Sequence, residues 1–225
     1  MNLFKALSYK EWIKTRKTII FLFVLLIASM AYVFIDITHA IRLEDSVNVW
    51  YGYLYMGKKL PIVMMVFPVI AGFTLALVQY VPEMIDKRLK LTLHLPASET
   101  SIIAAMLMYG YVVLVGLFAL LVVILTIGMS AFFSSDINQM VLLQLMPWLV
   151  SGLVTYGFTA WISFEPQWKQ RVLNLIISIG LLSVFFVSQD SGAYMHFGWG
   201  MLVLLVASFS FPFYSAMRFK HGVLQ

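Results

Sequence analysis

The sequence predicts an all-α polytopic membrane protein with an N-terminal interfacial helix, six transmembrane helices and both termini in the cytoplasm. Three observations lead there. Of the 225 residues, 62% are hydrophobic and only 11% are charged, against about 25% charged in ordinary globular domains, so a water-soluble fold could not hide the apolar surface. The apolar residues arrive in runs of 17 to 32 without a single charge, the length a helix needs to cross about 30 Å of hydrocarbon. These runs are apolar on every face, whereas a β-barrel needs segments of roughly ten residues that alternate lipid-facing and lumen-facing side chains.

Met1 to Lys17 carries five basic residues and Trp12. Its charged region is too long for a signal peptide and no small-residue cleavage site follows, so it is expected to remain attached and to lie along the inner membrane surface, lysines toward anionic headgroups. Leu3, Phe4 and Leu7 cluster on one side of this segment, while Trp12 and Ile13 point elsewhere. The spans follow at Ile19–Ile35, Leu60–Val81, Ile102–Phe133, Val141–Phe164, Val172–Ser188 and Phe197–Met217. The third holds 32 residues and at 1.5 Å per residue would reach about 48 Å, so it must tilt, project beyond the bilayer or break near Gly128; projection or a break is expected.

Orientation follows from the basic residues. Lys5, Lys10, Lys14, Arg16, Lys17, Lys87, Arg88, Lys90, Lys169, Arg171, Arg218 and Lys220 fall on one side, against Arg42, Lys58 and Lys59 on the other. Twelve against three assigns the first side to the cytoplasm. The net charge of +5 sits beside the spans and not on a polar domain, which argues against nucleic acid as a partner. No repeat, linker or soluble stretch longer than about 24 residues interrupts the chain, so residues 1–225 are read as one transmembrane domain.

Chemical motifs are sparse. Gly52-Tyr-Leu-Tyr-Met-Gly57-Lys58-Lys59 satisfies GxxxxGK, but a phosphate-binding loop needs a preceding strand, a following helix and Ser or Thr after the Lys, where Lys59 stands. Trp50, Tyr51, Tyr53 and Tyr55 read as an interfacial aromatic belt. With no cysteine there is neither a disulfide framework nor a thiolate metal site. His39, His94, His196 and His221 are scattered, and no HExxH, GxSxG or paired intramembrane carboxylate is found; the chain is read as not an enzyme, with no cofactor or metal of its own. Asp36, Glu83, Asp136, Glu165 and Asp190 all fall at span ends. Proton-driven pumps usually place a carboxylate mid-membrane, so energy for any transport is expected from elsewhere.

The richest segment is the connection Pro82-Glu83-Met-Ile-Asp86-Lys87-Arg88-Leu89-Lys90-Leu91-Thr92-Leu93-His94-Leu95-Pro96-Ala97-Ser98. Its leucines alternate at the period of a strand, while Ile85, Leu89 and Leu93 also share a helical face; with no partner strand in sight, a short helix ended by Pro96 is preferred. Here the chain resembles the permeases of type-2 ATP-binding-cassette (ABC) transporters, which carry after span two a Glu, a Gly-Thr-Leu, a leucine-rich stretch and a Pro-Val-Ser or close variant. Glu83, Leu89 and Pro96-Ala97-Ser98 match in order and spacing; the family's Gly and Thr are Lys87 and Arg88, and its following Gly-Lys is Ala105-Met106. The resemblance extends to the layout of an N-terminal interfacial helix, six spans and a cytoplasmic C-terminus.

That resemblance implies a division of labour. A separate ABC ATPase subunit would bind ATP and magnesium, two permease copies or a related pair would line the pathway, and residues 83–101 would be the coupling segment that docks in the ATPase. Glu83, Lys87, Arg88, Leu89, Leu93, Pro96 and Ser98 are its candidate contacts. In span four, Ser151, Thr155 and Thr159 repeat along one helical face near Gly152 and Gly157, as candidates for the pathway or the dimer seam, although such small residues more often serve close helix packing. The expected role is an exporter's permease in a prokaryotic cytoplasmic membrane, moving a lipid, amphipathic peptide or drug-like compound. The alternative is a non-transporting membrane scaffold or assembly protein whose amphipathic segment binds another cytoplasmic partner; a secondary transporter would instead depend on an ion gradient.

Overall fold

The computed structural model describes residues 3–85, 92 and 98–220. Among them there are helices and turns and no strand. The helices are α1 (Leu3–Glu44), α2 (Ser46–Leu54), α3 (Ile62–Ile85), α4 (Glu99–Ser130), α5 (Ser135–Phe164), α6 (Trp168–Ser183) and α7 (Gly198–Lys220), with single 3₁₀ turns at Val184–Phe186 and Met195–Phe197. Six helical segments are long and apolar enough to cross a membrane, the expected number.

The N-terminal segment and the first span form one continuous helix of 42 residues, not an interfacial helix followed by a separate span. The reason is compositional: no glycine or proline occurs before Gly52, so nothing breaks the backbone ladder where the lysines give way to the apolar run. At 1.5 Å per residue α1 is about 63 Å long, roughly twice the hydrocarbon thickness. α4 likewise keeps all 32 residues. It passes Gly128 unbroken and stops two residues later, where the Ala131 amide bonds back to the Gly128 and Met129 carbonyls. α3 continues through Pro82 to Ile85.

Adjacent spans run antiparallel. One end of the bundle, here the terminal end, gathers the start of α1, the end of α3, the starts of α4 and α6 and the ends of α5 and α7. The distal end holds α2, which the aromatic pattern had suggested only as a belt. Tyr53 of α2 is buried edge-on against Phe133 at 5.3 Å, while Tyr51 and Tyr55 are exposed. Lys58 pairs loosely with Glu44 (3.7 Å) and Lys59 with Asp190 (3.3 Å) there, so the GxxxxGK stretch is a helix end and turn.

α5 is the hub, packed against α3, α4, α6 and α7, while α1 packs on α3 and α4, and α6 lies at the edge against α5. Outward faces are apolar: Ile20, Phe21 and Val24 of α1, Val112 and Ile127 of α4, Ile176 and Ile179 of α6, and Val203 and Val206 of α7 are all exposed. A continuous apolar exterior of this kind suits hydrocarbon and not water.

Candidate functional site

The helical period places Lys10, Glu11, Lys14 and Thr15 on one face of α1, and Gln79, Tyr80 and Glu83 on one face of the last turns of α3. The two faces meet at the terminal end. Lys14 Nζ lies 2.8 Å from Glu83 Oε1 and 2.9 Å from Glu11 Oε2, and it donates to the Gln79 carbonyl at 2.9 Å. Lys10 Nζ reaches the same Glu83 oxygen at 3.0 Å and donates to Thr92 Oγ1 at 2.9 Å. Glu11 is fully buried and Glu83 almost so, at 1% exposure.

Two carboxylates and two ammonium groups make a neutral set, which is what burial of charge demands. Lys14 also meets the Gln79 main-chain carbonyl toward the C-terminal end of α3, the end at which the helix dipole favours cations. Lys10 gives the node its reach: one ammonium group holds both the end of α3 and Thr92 in the connection between α3 and α4.

A neutral polar chain leads inward from the node. Gln79 donates through Nε2 to the Met106 carbonyl of α4 at 2.8 Å and accepts from the Tyr156 hydroxyl of α5 at 2.9 Å. Because Tyr156 spends its proton on Gln79, the Tyr80 hydroxyl donates to Tyr156. Tyr111 packs edge-on against Tyr156 at 5.0 Å and bonds to Ser208 of α7 at 3.1 Å, and Thr15 meets Tyr109 at 2.7 Å. Helices α1, α3, α4, α5 and α7 are thus joined through polar groups near one level of the bundle. Tyr156→Phe strands the Gln79 carbonyl oxygen and the Tyr80 proton, and is expected to cost about 1–3 kcal/mol, read as earlier thermal unfolding of the detergent-solubilised chain.

A third buried carboxylate closes the other side of the terminal end. Glu165, at the C-cap of α5, accepts from Ser215 at 2.7 Å and pairs with Arg218 of α7 at 3.4 Å, while Arg171 of α6 donates to its backbone carbonyl at 2.7 Å. Among the described residues no three His, Asp or Glu side chains converge as metal ligands.

Of the candidate coupling residues, Glu83 is drawn into the interior by Lys10 and Lys14, and Ser98 is the N-cap of α4, its hydroxyl accepting from the Ser101 amide at 3.3 Å. Lys87, Arg88, Leu89, Leu93 and Pro96, with the short helix expected there, lie outside the described residues. Ser151, Thr155 and Thr159 are buried within the single chain, and their hydroxyls donate to the Trp148, Ser151 and Thr155 carbonyls of their own helix.

Sequence reasoning missed Glu11, Lys14, Gln79 and Tyr156. The spacing of Gln79 and Glu83, four apart at the end of an apolar run, was a usable signal. Glu11 among lysines was not. No known protein family matches the chain, and neither a curated protein nor a solved structure matches it.

Proposed function

We propose that this chain is the membrane-spanning permease subunit of an ATP-driven exporter of the type-2 ABC kind, set in a prokaryotic cytoplasmic membrane with its terminal end inside. In this reading it pairs with a second permease copy or a relative and with a separate ATPase that binds ATP and magnesium. The substrate is hydrophobic or amphipathic: a lipid, a peptide or a drug-like compound.

The observation that carries the reading is the Lys10 bridge. An ATPase pushing on residues 83–101 from the cytoplasm would push on a segment tied by Lys10 through Thr92 and Glu83 to α1, and by Gln79 to α4 and α5. A pathway subunit driven from outside itself needs such a joint, since force applied at a surface loop otherwise dissipates in that loop. The basic start of α1, projecting past the hydrocarbon, would rest against anionic headgroups beside the ATPase.

The test is co-purification. With the C-terminus tagged and the membrane solubilised gently, a Walker-motif ATPase should accompany the chain in stoichiometric amount. Leu89→Asp, which puts a charge on an apolar anchor of the docking segment, should remove it. Recovery of the chain alone, or with a protein lacking ATPase motifs, overturns the exporter reading in favour of a scaffold.

A further inference from the structure

Between α3 and α6, floored by α5, lies a lateral cleft of about 300 Å³ walled by Leu77, Val81, Met84, Ile85, Ile162, Ser163 and Arg171. Its polarity is graded. α3 runs toward the terminal end, so Leu77 is deepest, Val81 one turn nearer the surface, and Met84 and Ile85 at the rim; Arg171, in the first turn of α6, stands at the mouth. Trp168, which opens the same turn of α6, is 72% exposed, as expected of an aromatic at the membrane–water boundary.

Arg171 is the unusual member. Its Nη2 donates to a neutral acceptor, the Glu165 carbonyl, while the Glu165 carboxylate is engaged by Ser215 and Arg218. Among the described residues no carboxylate pairs with Arg171, and its Nε is buried without a hydrogen-bond partner. Among the described residues no acidic side chain lines the cleft. A guanidinium with no carboxylate partner among the described residues, beside an apolar slot, suits a ligand with an anionic oxygen at one end and methylenes at the other.

We infer that this cleft is a binding site for an anionic phospholipid, its phosphate on Arg171 and one acyl chain lying along Ile85, Val81 and Leu77. Charge complementarity selects the occupant. A guanidinium matches phosphate geometry and a charge-assisted bond is about twice as strong as a neutral one, whereas a second protein copy would have to offer a carboxylate at that point. Basic pockets between transmembrane helices recognise acidic headgroups in the same way. The inference needs only that the chain spans a bilayer and stands or falls apart from the ATPase partner.

The test is native mass spectrometry of the full-length chain in mild detergent, titrated with dioleoyl phosphatidylglycerol and, separately, dioleoyl phosphatidylcholine. The wild type should retain a first phosphatidylglycerol about tenfold better than phosphatidylcholine, whose phosphate carries the same charge but whose trimethylammonium group sets a second cation against the guanidinium. Arg171→Gln should bring the ratio close to one. Val81→Trp, which fills the slot and leaves the guanidinium in place, should also lose the tightly held lipid. Equal retention of the two lipids by wild type overturns the proposal, as does a preference that survives both substitutions. Displacement of the bound phosphatidylglycerol by glycerol 3-phosphate also overturns it, because the site would then take a free anion and not a lipid.

Discussion

Glu83→Ala is expected to destabilise the chain by about 1.5–3 kcal/mol, the cost of losing hydrogen bonds to a charged group, because Lys14 keeps Glu11 as a counter-ion at 2.9 Å. The two lysines differ in where they can go. Lys14 has only 17% of its side chain exposed and is held between Glu83, Glu11 and the Gln79 main-chain carbonyl. Lys10 has 38% exposed and can swing outward, so Lys10→Ala should cost no more than about 1 kcal/mol. Glu83→Gln keeps an acceptor oxygen for Lys14 and should fall between the two.

Unfolding of the detergent-solubilised chain, followed by temperature and by denaturing detergent, checks the order Glu83→Ala, Glu83→Gln, Lys10→Ala. A double-mutant cycle of Glu83→Ala with Lys14→Ala isolates the pair, and a coupling of about 1–3 kcal/mol is expected for side chains in direct contact within one network. If Glu83→Ala costs no more than Lys10→Ala, the node is incidental and the joint between α1 and α3 must be sought in their apolar contacts. If the order holds, Lys10→Ala becomes the informative variant for function. It spares stability while cutting the link to Thr92, and the proposed role of that link predicts ATP hydrolysis by the partner without matching transport.

The spans were legible because hydrocarbon asks one simple thing of a sequence, an uninterrupted apolar run, and six such runs stand between charged ends. The length of α1 was misread because Arg16 and Lys17 look like a boundary. A change from charged to apolar residues marks a membrane surface and not a helix end; glycine and proline are the stronger stop signals, and neither occurs before Gly52. α2 was hidden for a related reason, since Trp50, Tyr51, Tyr53 and Tyr55 are explained equally well by an interface and by a helix packed on Phe133.

The candidate site was half legible. Glu83 stood out as a carboxylate closing a span, and Ser98 as a residue opening one. Their partners did not, because Lys14 is 69 residues from Glu83 and Tyr156 is 77 from Gln79, and no local period reports a contact at that range. Buried polar groups in a membrane protein are found by asking what each must bond to, which requires knowing which helices are neighbours.

The second large effect tests whether α3 and α5 can move separately at all. At their crossing the two backbones touch: a Cβ on Gly72 would lie 2.0 Å from the Gly152 carbonyl oxygen, and one on Gly152 would lie 2.5 Å from the Pro68 carbonyl oxygen. Both obstacles are backbone atoms, so no side chain can rotate aside and the helices must part. Gly72→Ala is therefore expected to cost at least about 3 kcal/mol, at the upper end for overpacking, although alanine is the better helix former by about 1 kcal/mol. Gly116 of α4 supplies the control, because a Cβ there meets nothing within 4 Å, and Gly116→Ala should be neutral or slightly stabilising in the same unfolding measurement. Gly157 extends the test to α7, where a Cβ would lie 2.4 Å from the Ser208 carbonyl oxygen; Gly157→Ala should resemble Gly72→Ala. With that result, α3, α5 and α7 form one close-packed body joined backbone to backbone. A force entering through Glu83 would then move the three together, and any opening would have to occur at the looser edges, along α6 or against the proposed second permease copy. A small penalty at Gly72 and Gly157 would instead make the α3–α5 and α5–α7 seams compliant, and place the moving surfaces inside the chain.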